Sequence, residues 1–217
     1  MTTFPGSPRL VKGGLVLLDA DTGAVQRLIV LQYNPNRLTR TLQAQTLGEG
    51  AGRSQALRLK GPPVETYRLE AEIDAADQLE FPETNEAVIT HGITPQLAAL
   101  EMVLYPTSGQ LLANNGLASA GTLEIAPLEA PLTLFVWSKN RVMPVRLTDY
   151  SVSEEAFDPN LNPLRAKVSL SLRVLNVNDF GFDHRGGHLY LTYQQGLESL
   201  AALSPAGAFS ALGITGV

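Results

Sequence analysis

Cysteine is absent from all 217 residues. That excludes disulfides and thiolate-held zinc, and it fits assembly in a reducing cytoplasm. A basic stripe is absent too. The 16 Lys and Arg are spread thinly, aromatics do not interleave them, and the net charge is −5. No nucleic-acid partner is expected from such a pattern. No apolar run approaches the roughly 18 residues of a membrane span. The opening "MTTFPGSPRLVKGG" lacks the apolar centre of a signal peptide. The expectation is a soluble protein without a membrane anchor. Histidine is scarce, at three residues, and there is no Gly-x-Ser-x-Gly elbow. A hydrolase therefore has little to build on, and neither enzyme activity nor a cofactor is expected.

What the chain does have is two-residue alternation. "ETYRLEAEIDAAD" sets Tyr67, Leu69, Ala71 and Ile73 against Arg68, Glu70, Glu72 and Asp74, the mark of a strand with one buried face. "LRAKVSLSLRV" sets Val168, Leu170, Leu172 and Val174 against Lys167, Ser169, Ser171 and Arg173. "GLVLLDADTGAVQRLIVLQYNP" reads as a hairpin turning on "DADTG". "PLTLFVWS", "VMPVRLTDYSVSEEAF" and "LRAKVSLSLRVLNV" read as a three-strand meander joined by "KNR" and "DPNLNP". In the second connection Pro163 bars ladder pairing and biases Asn162 to extended backbone, so turn and register are set together. A helix is predicted from Thr94 to Tyr105, with Thr94 as N-cap, Pro95 in its first turn and Pro106 as its stop. A second, short helix is predicted around Tyr190 to Leu203. Residues 75–94 read as irregular, and Ala44 to Leu59 and Thr107 to Glu129 as loops that are mobile in an isolated subunit. The fold class is mainly β (α+β): an antiparallel barrel or sandwich with a flanking helix. Residues 1–180 are expected to form it, with 181–217 as an extension.

Four groups of residues could carry chemistry. Gly48, Gly50 and Gly52 lack the Lys-Ser/Thr of a phosphate loop and read as a flexible connection. "DHRGGH" offers Asp183, His184 and His188, but Gly186-Gly187 disfavours the helix on which two histidines four apart would share a metal. A polar turn is the plainer reading. Glu154, Glu155 and Asp158 could form an acid/base pair, yet they lie at a strand end beside Pro159, where solvated carboxylates are ordinary. A surface or interface role is expected of them. Thr133, Phe135 and Trp137 share a strand face that could stack on sugars, or could simply be core. A carbohydrate-binding β-sandwich of a tail or surface structure is therefore the alternative reading. A hydrolase built on Asp183, His184 and Glu154 is the third.

The order of the C-terminal motifs decides among these. A strand reading "PLTLFVW" covers Pro131 to Trp137. It is followed by V-x-L-x-x-Y-x-V-x-E-x-x-F-D over Val145 to Asp158, and by N-P-x-R-A-x-V-x-L-x-L-x-V over Asn162 to Val174. This series resembles the tube-type baseplate proteins, or tube initiators, of contractile injection systems, which are phage-tail-like particles. "LQYNPNRLTRT" and "HGITPQLAALEMVLYP" are similar to the same family's N-terminal part, so the resemblance spans roughly residues 10 to 178. It implies a tail-tube-like β-barrel, six copies to a ring. It also implies a baseplate adaptor between the spike hub and the inner tube, with wedge proteins nearby, assembled in the cytoplasm. The LysM-like module that many members carry is not expected in so short an extension. Interface roles are then implied for Glu154, Glu155 and Asp158 toward a neighbouring layer. Lys167, Ser169, Ser171 and Arg173 would contribute to a hydrophilic lumen.

Overall fold

The computed structural model describes residues 10–46, 58–119, 130–205, 207 and 209–215. Seven strands form one antiparallel sheet: β1 (Gly14–Leu18), β2 (Val25–Val30), β3 (Leu38–Gln43), β4 (Val64–Asp74), β5 (Leu132–Ser138), β6 (Arg141–Phe157) and β7 (Pro163–Val174). Their order is β2-β1-β5-β6-β7-β4-β3. The fold is thus mainly β, as the alternation predicts.

The sheet is strongly rolled. Tyr67 on β4 and Phe135 on β5 are three strand positions apart, about 14 Å in a flat sheet. Their ring centroids lie 5.6 Å apart. The rolled interior is one core that includes Leu15, Tyr67, Phe135, Met143, Leu170 and Leu172. Across the seam, the Gln32 amide donates to the Asp74 carbonyl at 2.7 Å and its oxygen accepts from Asp74 N–H at 2.9 Å. The terminal strands β2 and β3 are not paired with each other among the described residues. β6 bridges the two halves of the sheet. Its first part pairs with β5 and the rest with β7, with an irregularity between Leu147 and Asp149.

Helices cap this sheet. They are α1 (Ala76–Leu79), α2 (Glu86–His91), α3 (Thr94–Glu101), α4 (Ser108–Ser119), α5 (Val177–Phe180) and α6 (Arg185–Ala202). Leu97, Leu100 and Val103 bring α3 and the turn after it onto the core. Several sequence expectations change here. Residues 75–94 are ordered as α1, a 3-10 turn at Pro82–Thr84, and α2. Each is too short to show periodicity. α1 starts because the Asp74 carboxylate accepts the Ala76 N–H at 2.8 Å. α3 begins after Ile93, with Thr94 inside it, and ends at Glu101. Much of the expected 107–129 loop is α4. Thr107 and Gln110 cap each other: Gln110 Oε1 accepts from Thr107 N–H at 3.0 Å, and Thr107 Oγ1 accepts from Gln110 N–H at 3.3 Å. That is a capping box, and "TSGQ" carried its signal in the sequence. Residues 120–129 and most of the 44–59 loop, with Gly48, Gly50 and Gly52, lie outside the described residues.

The last helix starts five residues before Tyr190. His184 is its N-cap, with Nδ1 accepting from Gly186 N–H at 3.0 Å. Gly186 and Gly187 sit in its first turn because a Cβ there would collide with Phe180 and with the Gly181 carbonyl. Close packing of α5 on α6 outweighs the helix cost of glycine. Tyr190 and Tyr193 from this helix join the main core.

Candidate functional site

Strand period and register build one broad polar face. With Val168, Leu170, Leu172 and Val174 buried, Lys167, Ser169, Ser171 and Arg173 project from the opposite side of β7. On β4 their direct neighbours are Glu72, Glu70, Arg68 and Thr66. On β6 they are Ser153, Ser151, Asp149 and Arg146. Ion pairs knit the face together: Lys167 to Glu155 at 3.4 Å, Arg165 to Asp74 at 2.7 Å, and Arg173 to Asp179 at 2.8 Å. The Lys167–Glu155 pair is exposed on both sides, and a pair of that kind adds little stability. What the three pairs do is keep the outer face of the rolled sheet polar. A shallow groove of about 480 Å³ runs along it, lined in part by Arg37, Arg68, Glu70, Lys167 and Ser169.

The three acidic candidates do not converge. Glu154 stands opposite Ala166, a buried position, and Glu155 opposite Arg165. Neighbouring strand residues face opposite ways, so the two glutamates lie on different faces. Asp158 is occupied by its own turn. Its Oδ1 accepts from Asn160 N–H at 2.7 Å and Asn162 N–H at 2.8 Å, and its Oδ2 from the Asn162 side-chain amide at 2.8 Å. The Asn162 amide and these backbone N–H groups hold its carboxyl below the ordinary range.

The Asn162 amide also donates to the Thr90 carbonyl at 3.1 Å, and Ile93 N–H donates to the Pro163 carbonyl at 2.9 Å. Gly92, at φ +57°, fits here because a Cβ would strike that same carbonyl. The "DPNLNP" turn is therefore a braced joint between the β6–β7 hairpin and the helices. It holds Leu161 at φ +66°, a conformation costly for leucine, with Leu161 and Phe157 exposed at its tip.

A buried polar cluster has no counterpart in the sequence reading. Glu65 sits on the core side of β4 at 4 % exposure. Its Oε1 accepts from Arg40 Nε at 2.5 Å and from the Tyr193 hydroxyl at 2.9 Å. Arg40 Nη2 donates to the Tyr193 hydroxyl at 3.1 Å, and the Tyr67 and Tyr193 hydroxyls meet at 3.3 Å. Burial pushes both phenols up, so they stay protonated. Burial opposes the charge on Arg40, and the bonded Glu65 outweighs it. The cluster ties β3 and β4 to α6. It is a fastening, with every member engaged by another.

The other candidates stay apart. Asp183, His184 and His188 line a shallow pocket of about 550 Å³ with Asp21 and Arg185, and Glu154 is not part of its lining. Among the described residues no three His, Cys, Asp or Glu are grouped to hold a metal. The His184 ring stacks on Phe180 at 4.5 Å. Trp137 packs on Phe135 at 6.0 Å, and its ring edge crowds Gly13, so its indole is partly sunk into the core. Among the described residues no helix is long and apolar enough to cross a membrane.

No protein-family model matches the chain, and no curated protein matches it. Solved structures give distant likenesses. A chain of the tail of an empty GTA particle with C6 symmetry aligns at 8% identity and TM-score 0.30, over 75% of this chain and 90% of that one. A chain of the virion of a native gene transfer agent (GTA) particle aligns at 10% identity and TM-score 0.27, over the same shares. Superpositions this loose fall short of showing a shared fold.

Proposed function

We propose that the chain is a structural ring subunit of a contractile injection system, a tube initiator or adaptor that joins the spike hub to the inner tube. The observation that carries this reading is a sheet with one ion-paired polar face and two terminal strands, β2 and β3, that lack outer strand partners among the described residues. Open edges are blunted or covered in stable proteins, and a closed ring covers them all at once. The order of the β5–β6–β7 motifs supports the assignment, and six copies per ring follow from the same resemblance. In this arrangement the face of Lys167, Ser169, Ser171 and Arg173 lines the lumen. The β6–β7 tip, with Glu154 and Glu155 beside Phe157 and Leu161, meets a neighbouring layer of hub, tube or wedge protein. Asp158 shapes that tip without touching the partner. The role is non-catalytic. Imaging of the assembled particle tests it: the chain is expected as a central ring of six between spike and tube. A single copy, a trimer or a peripheral fibre in that image overturns the reading.

A further inference from the structure

Strand β4 keeps a short stretch of uncovered edge. Main-chain groups along a strand point alternately to its two sides. Just past β4, Ala75 N–H donates to the Leu164 carbonyl beside β7 at 2.8 Å, so odd-numbered positions serve β7 and even-numbered ones serve the other edge. On that edge β3 runs only as far as Leu38, opposite Leu69. The Gln32 side chain takes both main-chain groups of Asp74, at 2.7 and 2.9 Å. Between these two covers, the main-chain N–H and C=O groups of Glu70 and Glu72 have no partner among the described residues. They border the groove of about 480 Å³, whose other wall includes Tyr33, Asn34 and Pro35. Unpaired strand groups recognise an extended peptide main chain. With β3 at one end and Gln32 at the other, the slot excludes a long continuous strand and takes a short segment.

We propose that residues 2–4 of this same chain bind in the slot, main chain to main chain against Glu70–Glu72. The described chain begins beside it. The side chain of Asn34, a wall residue, donates to the Val11 carbonyl at 2.8 Å and accepts from Gly13 N–H at 2.9 Å. Residues 1–9 precede that anchor, and a segment of this length reaches up to about 30 Å. The internal segments outside the described residues join the sheet at ends away from the slot: 47–57 beyond Gln43 and Val64, and 120–129 before Leu132, which stands opposite Leu18. Thr2, Thr3 and Phe4 carry strand-favouring side chains and main-chain N–H groups. Pro5 has no N–H and ends the pairing, and Pro5-Gly6 suits a reversal of the chain toward Leu10. Residues 1–9 hold no acid that would repel Glu70 and Glu72. The tether supplies an effective concentration on the order of millimolar, which lets so short a ladder form. The segment blunts this stretch of edge against strands of other molecules. The proposal does not depend on the ring reading.

Hydrogen exchange read residue by residue by NMR tests this, with the full chain compared with one lacking residues 2–9. The Glu70 and Glu72 amides are expected to exchange about tenfold faster in the shortened chain, because that edge then needs no local opening. The Ala71 amide serves β7, where Ala71 stands opposite Val168, and should exchange equally in both. That control, with circular dichroism, separates a lost contact from lost folding. Thr3→Pro combined with Phe4→Pro in the full chain removes both N–H groups and should reproduce the acceleration. Equal exchange at Glu70 and Glu72 in the full and shortened chains overturns the proposal. Protection of these amides that weakens on dilution of the full chain also overturns it, since the slot then belongs to another copy.

Discussion

Asp158 shows how much one carboxylate organises. It accepts three hydrogen bonds within five residues, and the turn it closes carries Leu161 in a left-handed conformation. Its carboxyl is held below the ordinary 3.8. A depressed acid contributes its full stability above its unfolded-state pKa and loses it as pH falls through the folded-state pKa. Asp158→Asn should therefore lower the urea midpoint at pH 7. It should also flatten the loss of stability that the natural chain shows between about pH 5 and pH 2. Urea titrations across that range check both, and an unchanged acid limb would rule the role out. The sequence pointed to the turn through its prolines but not to the carboxylate's work. An aspartate before Pro-Asn reads as solvated until its partners two and four residues on are seen folded back. Glu154 and Glu155 illustrate the same limit, because adjacency in sequence is opposition in a strand.

The elements most legible in advance were those with long, unbroken alternation. β4 and β7 each place every second residue in the core, so period alone fixes the inner face. Leu170→Ala or Leu172→Ala should cost about 2–5 kcal/mol by opening a cavity in packed surroundings. Ser169→Ala and Ser171→Ala should stay within about 0.5 kcal/mol. Denaturant midpoints compare the two sets, and equal losses would mean the faces are misassigned. Short helices were illegible for a physical reason. α1 and α2 span only four and six residues, too few to repeat a 3.6-residue pattern; the Asp74 carboxylate starts α1, and the single buried residue Val88 pins α2 to the core. α4 buries nothing, so no apolar stripe announces it.

At the scale of the molecule, α6 belongs to the core rather than hanging from it. Tyr190 and Tyr193 share the main cluster with Tyr67 and Phe135, and the Glu65 cluster adds polar fastening. Unfolding should accordingly be a single transition, with Trp137 fluorescence and far-UV circular dichroism giving one midpoint. Tyr193→Phe removes a hydroxyl that both Glu65 and Arg40 use. It should lower the unfolding free energy by about 1–3 kcal/mol without splitting the transition. Two separated midpoints would make residues 181–217 an independent unit. Sequence could not foresee this fastening, since its members come from β3, β4 and α6 and Glu65 and Tyr193 are 128 positions apart. The long strand β6 has a mechanical meaning as well. Its seventeen residues run without interruption from the part of the sheet next to β5 to the part next to β7, so the two halves share one backbone. A load that pulls the halves apart is carried by covalent bonds and by many ladder hydrogen bonds sheared together, instead of opening a boundary one bond at a time. A sheet tied in this way resists tearing at its middle and yields first at its rims.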